Sequence, residues 1–170
     1  MIQLLKHFLW WIGLVGMQVF ILDNTHFFGL FLPLIYVYAL LKWPSDFSPA
    51  ATVICGFLLG LSVDVLSNTP GMHAASTTFI AFLRYYVLRL FISKVDLDDR
   101  DVGIVSLGVS NFWKYAILLV VLHHSITFIL ESFSFENSLQ LLLKIPVCSL
   151  FTLLFVGAFE RINRHQDARI

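Results

Sequence analysis

The chain has 170 residues, of which 58% are hydrophobic and 13% charged, with 17 phenylalanines, a mean hydropathy of +0.83 and a formal net charge of zero. That composition lies outside the usual range of soluble domains and reads as an all-α, polytopic membrane protein. Lysine and arginine are scattered as short flanks with no basic face, which argues against nucleic-acid binding.

About 20 apolar residues cross the hydrocarbon core of a bilayer, and shorter runs do so with help from their flanks or local thinning. Six segments meet this expectation: 5–22, 27–43, 50–66, 73–93, 106–130 and 139–159. They make the whole chain, residues 1–170, one membrane domain, a six-helix bundle with no internal repeat, low-complexity tract or soluble module. The first has Lys6 ahead of an apolar stretch, as a signal peptide does. It lacks a small-x-small cleavage site and contains Trp10 and Trp11, so it is expected to be retained as a span.

The connections 23–26, 67–72 and 131–138 contain no lysine or arginine. Lys6, Lys42, Arg89, Lys94, Arg100, Arg161, Arg164 and Arg169 fall on the opposite flanks, so the positive-inside rule puts both termini in the cytoplasm. Arg84 sits halfway along the fourth segment, where a long basic side chain can snorkel towards the cytoplasmic end, and Lys114 can do the same in the fifth. Asn111, Trp113 and Tyr115 beside Lys114 look like an interfacial belt, which starts that span later than residue 106. The mixed-charge stretch 95–102 reads as a solvated loop. Cys55 and Cys148 lie in apolar runs without metal-ligand spacing and read as inert buried thiols.

The third segment carries the most informative pattern. Gly56 and Gly60 form a G-x-x-x-G spacing that lets another helix approach closely, either within the bundle or from another protein. Asp64 continues the four-residue spacing on the same face. At 1.5 Å per residue, Asp64 stands roughly 21 Å from a helix start near Ala50, close to the outer end. Pro70 and Gly71 then favour a turn, and His73 opens the fourth segment at a similar depth. Asp64 is expected to cap or brace this hairpin; a ligand or proton site is the alternative, as ionisable groups in membrane segments usually face a partner or cavity.

Further along, His124 and Glu131 fall nearly on one helical face, and Lys144 enters the sixth segment to a comparable depth. Membrane-buried charges usually pair, so Asp64, His73, His124, Glu131 and Lys144 are expected to form an outer polar cluster, as a staple within the bundle or as the lining of a pocket. Pro146 is expected to kink the sixth segment. Catalytic signatures are missing: no H-E-x-x-H, no G-x-S-x-G and no phosphate-binding loop, and adjacent His123 and His124 diverge by about 100° on a helix. The chain reads as a non-enzyme needing no cofactor or metal.

Gly56, Gly60, Leu61, Asp64, Pro70, Gly71, His73 and Ala74 together resemble the hairpin of the rod shape-determining membrane protein MreD family, whose recognisable stretch is G-x-x-x-G-L-x-x-D followed by a Pro/Gly/His-Ala turn. The likeness covers this hairpin specifically and the rest of the chain in hydropathy. Many members place a residue between the proline and glycine, which are adjacent here. The resemblance implies a non-enzymatic inner-membrane subunit of the bacterial cell-elongation machinery. Its partners would be an MreC-like single-span periplasmic scaffold, an MreB-like cytoplasmic filament, and a cell-wall glycosyltransferase with its penicillin-binding transpeptidase. It also implies a fold similar to the substrate-binding subunits of energy-coupling-factor vitamin transporters.

Such a vitamin-binding subunit is the competing expectation, with the outer cluster lining a solute pocket. Those subunits resemble one another in an A-x-x-x-A face on the first helix, where this chain has Gly13 and Gly16. A polyprenyl-lipid or proton-coupled transporter is a third reading, resting on the buried acid and histidines alone.

Overall fold

The computed structural model describes residues 2–23, 32–91, 102–132 and 138–167, and their side chains except those of 2–6, 138–140 and 164–167. All regular structure among the described residues is helical. Helix α1 (Ile2–Met17) runs on into a π-helical turn, Gln18–Leu22; α2 (Val37–Leu41) is short; α3 (Pro49–Ser67) and α4 (Met72–Phe91) form a hairpin. A single turn, α5 (Ile104–Leu107), breaks at Gly108 (φ 75°) before α6 (Val109–Ser132), and α7 (Ser138–Asp167) carries Pro146 in its interior.

Local chemistry sets several boundaries. The Ser48 hydroxyl accepts from the Ala51 amide with Pro49 at the first helical position, and both features favour a helix start there. Asn68 ends α3 in the left-handed conformation (φ 55°, ψ 42°), a conformation that asparagine tolerates better than most residues.

Three stretches are long and apolar enough to cross a membrane, Pro49–Ser67, Val109–Ser132 and Leu141–Asn163, and a shorter apolar helix covers His7–Leu22. Their outward faces carry large apolar side chains, among them Ile54, Phe57, Val65, Leu143 and Leu154. Helix α4 has the length to span but carries buried His73, Ser76, Thr77 and Arg84.

The elements alternate in direction. One end of the bundle holds Lys42, Trp43, Arg84, Tyr115 and Glu160, joined by contacts described below; the other holds Asp23, Ser67, His73 and Glu131, which line one cavity. Helices α1, α3 and α6 run from the Lys42 end to the Asp23 end, whereas residues 32–43, α4 and α7 run back.

The second expected span, 27–43, is not a continuous helix. Residues 24–31 lie outside the described residues, 32–36 are non-helical, and only Val37–Leu41 form α2. Yet Leu34 to Leu41 are all buried, Leu34 to Val37 completely. Irregular backbone survives burial only where the surrounding protein satisfies its polar groups. Here the Leu34 amide donates to Thr152 Oγ1 of α7 (3.0 Å) and the Ile35 amide to Gln18 Oε1 of the π-turn (2.9 Å). At the other end Tyr115 of α6 donates its hydroxyl to the Leu41 carbonyl (3.1 Å), and the Arg84 guanidinium of α4 donates to the Trp43 carbonyl.

Arg84 therefore does not snorkel: it is 3% exposed and bonds a carbonyl just past α2, with its Nε also donating to Tyr115 (3.0 Å). A cation beside the carbonyl end of a helix opposes the negative end of its dipole. The fifth expected span begins at Val109, after the Gly108 break and three residues later than the 106–130 reading. The loop 95–102 lies, except for Val102, outside the described residues.

Candidate functional site

The α3–α4 hairpin is built around its two glycines and one carboxylate. A Cβ on Gly56 would stand 2.5 Å from Ala81 Cβ and 3.0 Å from the Thr77 carbonyl, and one on Gly60 would collide with Thr77 Oγ1, the His73 carbonyl and Ala74 Cα. The G-x-x-x-G face is thus consumed inside the molecule. Asp64, 4% exposed, sits where the chain turns.

Gly71 (φ 82°) precedes α4 and has no side chain with which to cap it. Asp64 supplies the cap from the neighbouring helix: Oδ1 accepts from the His73 amide (3.2 Å) and from Thr69 Oγ1, and Oδ2 accepts from the Ala74 amide (2.7 Å). A carboxylate on the first amides of a helix gains both charge-assisted bonds and the helix dipole. The Asp64 backbone carbonyl also receives the Thr69 amide (3.0 Å). The expected brace is present, but it grips the His73 backbone and leaves the imidazole for another partner.

That partner is Tyr36, from the irregular segment. Its hydroxyl lies 2.8 Å from His73 Nδ1 and 3.0 Å from His123 Nε2, all three buried. Among the described residues His123 Nδ1 has no hydrogen-bond partner. A lone pair left unpaired is tolerated better than a buried N–H, so the His123 proton belongs on Nε2. It then donates to Tyr36, and more weakly to Ser76 Oγ at 3.4 Å, while Ser76 donates to the His73 carbonyl (3.1 Å). Tyr36 in turn donates to His73 Nδ1, which places the His73 proton on Nε2.

His124 belongs to a separate chain of bonds. Its Nδ1 donates to the Val120 carbonyl (2.9 Å), Thr152 donates to Nε2 (3.1 Å), and Thr152 Oγ1 accepts the Leu34 amide. Glu131 and Lys144 form the third group, an ion pair at 2.7 Å with the ammonium 4.3 Å from the centre of the Phe128 ring. The expected cluster of Asp64, His73, His124, Glu131 and Lys144 is in fact three separate networks. Sequence depth placed these groups at one level, but helix rotation gave each a different neighbour.

These networks border a cavity of about 510 Å³ at the Asp23 end. Among the described residues its polar lining is Asp23, Ser67, Thr69, His73, Thr127 and Glu131; its apolar lining includes Val19, Leu32, Leu34 and Phe128. The three hydroxyls are already committed: Ser67 to Asp23 Oδ2, Thr69 to Asp64, and Thr127 to the His123 carbonyl (2.9 Å). Gln18 Nε2 donates to Asp23 Oδ1 (2.9 Å). Among the described residues no three His, Cys, Asp or Glu side chains are grouped as a metal would require.

At the opposite end Glu160, 3% exposed, plays the part that Asp64 plays in the hairpin. Oε1 pairs with Lys42 (3.1 Å) and accepts from Tyr38 (2.9 Å), and Oε2 accepts the Ile104 amide opening α5 (3.1 Å). Asn163 donates to the Tyr38 hydroxyl (2.9 Å). Tyr36, Tyr38, Gln18, Thr152 and Glu160 carry much of this architecture, and the sequence reading singled out none of them. A glutamine, tyrosines and a threonine in apolar runs were the available signal, since buried polar side chains demand partners.

Comparison with protein-family models, curated proteins and solved structures returned no match.

Proposed function

We propose that this chain is a non-enzymatic, multi-pass subunit of the bacterial inner membrane that acts in cell elongation, in the manner of the MreD family. In this reading the six segments all cross the bilayer, both termini are cytoplasmic, and the Lys42–Glu160 end faces the cytoplasm. The bundle scaffolds or regulates peptidoglycan synthesis beside an MreC-like scaffold, an MreB-like filament, and a glycosyltransferase with its transpeptidase.

The observation that carries the reading is the hairpin. Gly56, Gly60, Asp64, Pro70, Gly71 and His73, the residues of the family resemblance, all lie on or in the tight α3–α4 junction, and Asp64 alone caps two amides there. The buried ionisable groups Asp64, Arg84 and Glu160 are all spent on backbone groups of the fold, which suits a scaffold. Its working surface is then the apolar exterior, where close packing rather than burial from water joins one membrane helix to another.

Depletion in a rod-shaped host should round the cells, and affinity purification from its membranes should retain the single-span scaffold. Unchanged shape together with no co-purified scaffold sinks the reading. The cavity at the Asp23 end favours one alternative, a substrate-binding subunit of a vitamin transporter; native mass spectrometry of the purified protein would then show a retained vitamin.

A further inference from the structure

We propose that the cavity at the Asp23 end binds an amphipathic primary ammonium compound, whose cation meets the Asp23 carboxylate while the His73 Nε2–H meets an acceptor on the same ligand. The inference holds whichever protein complex the chain serves. Its volume, about 510 Å³, falls within the roughly 300–1,000 Å³ of small-molecule sites, and its mixture of apolar wall and few polar groups is theirs too.

The chemistry follows from what the lining has left to offer. Its hydroxyls are spent on neighbours, as described above. Glu131 is neutralised by Lys144. Among the described residues Asp23 is held by neutral donors, Gln18 and Ser67, each of which leaves a lone pair on the oxygen it bonds. Asp64, behind the cavity wall, is likewise held by a hydroxyl and two amides. The charge balance of the described residues around the cavity is therefore negative, and the lining carboxylate whose charge no cation offsets is Asp23.

An independent observation points to a ligand. His73 is 7% exposed and lines the cavity, its Nδ1 is bound by Tyr36, and its Nε2 has no hydrogen-bond partner among the described residues. This N–H is not one of the fully buried donors left without a partner; it opens to the cavity, where an acceptor on a ligand would take the place of water. A hard divalent metal does not fit: it takes six or more oxygens, whereas the described wall offers Asp23 and the Lys144-paired Glu131 among Val19, Leu34 and Phe128, its hydroxyls being spent. An ammonium needs far fewer partners, and its apolar body would lie against those same side chains.

Phenethylamine supplies the cation and an apolar body; 2-phenylethanol has nearly the same shape without the charge. With the full-length protein in phosphatidylglycerol nanodiscs, phenethylamine should bind saturably and about tenfold or more tightly than the alcohol, the scale of one charge-assisted bond. Asp23→Asn should abolish that preference while keeping the thermal midpoint, because the amide oxygen can still accept from Gln18 and the amide nitrogen can donate to Ser67. The imidazole ¹⁵N signals of His73 should move on binding to the wild type.

Including phosphatidylethanolamine in the nanodisc separates two sources of the amine. Weakened phenethylamine binding supports the site with a lipid headgroup as its occupant, and unchanged binding supports it with a free solute. Equal affinity for amine and alcohol, no saturable binding of either, or full preference retained in Asp23→Asn overturns the proposal.

Discussion

Asp64 does the work that a capping side chain at position 71 would do, because glycine there permits the turn but cannot accept from α4. Replacing Asp64 with leucine strands the His73 and Ala74 amides in a buried turn, at about 1–3 kcal/mol for each group. Asp64→Asn keeps one acceptor oxygen and loses the charge. Thermal unfolding in detergent should rank wild type above Asp64→Asn and Asp64→Asn above Asp64→Leu; an Asp64→Leu protein as stable as wild type removes the capping role. Tyr36 is the second residue on which long-range order depends. Tyr36→Phe preserves the ring but leaves His73 Nδ1 and His123 Nε2 without their shared partner, so a loss of about 1–3 kcal/mol is expected. The imidazole ¹⁵N spectrum should show both histidines changing together, and a change at His73 alone would contradict the shared hydroxyl.

At the scale of elements, close approach separates glycines that the sequence presents alike. Gly60 faces the backbone of α4, whereas a Cβ on Gly13 or Gly16 meets nothing within 4 Å among the described residues. Gly60→Ala must push α3 and α4 apart and should cost about 1–3 kcal/mol, the range for overpacking, while Gly13→Ala should leave stability unchanged or slightly raised. Size-exclusion profiles after a heating series test this directly; equal loss in both variants would mean that the hairpin contact is not the constraint. Residues 32–41 form the other decisive element. Hydropathy does not mark their broken helix, because the run is as apolar as its neighbours; the local signal for a break was Pro33, which has no amide to donate within a helix. Their irregular backbone depends on amides captured by Gln18 and Thr152, partners 17 and 118 residues away. Thr152→Val keeps the shape of the side chain while stranding the Leu34 amide and His124 Nε2, and hydrogen exchange at Leu34 should rise relative to α3.

For the whole molecule, the polar bonds gather at the ends and in the middle of the bundle, while the outward faces remain apolar. Lys42, Tyr38, Glu160 and Ile104 join α2, α5 and α7 at one end, and Gln18, Asp23 and Ser67 join α1 and α3 at the other. If the proposed topology holds, single cysteines introduced near residues 46 and 68 in a cysteine-free background should be labelled from opposite sides of the membrane by an impermeant maleimide. Labelling from one side would reject the alternation read from the lysine and arginine flanks.

Hydropathy and turn chemistry depend on neighbours along the chain, so the sequence by itself determined the helical class, the apolar helices long enough to cross a membrane, the α3–α4 hairpin and the position of Asp64 at its turn. The same locality explains where that reading stopped. Which groups meet across helices depends on rotation and on the break before α2: His73 turned to Tyr36, His124 to Thr152, and Arg84 to the Trp43 carbonyl. Only the tertiary structure decided these partnerships, because their members lie 28 to 41 residues apart in sequence and a change in helix rotation would redirect every buried polar side chain.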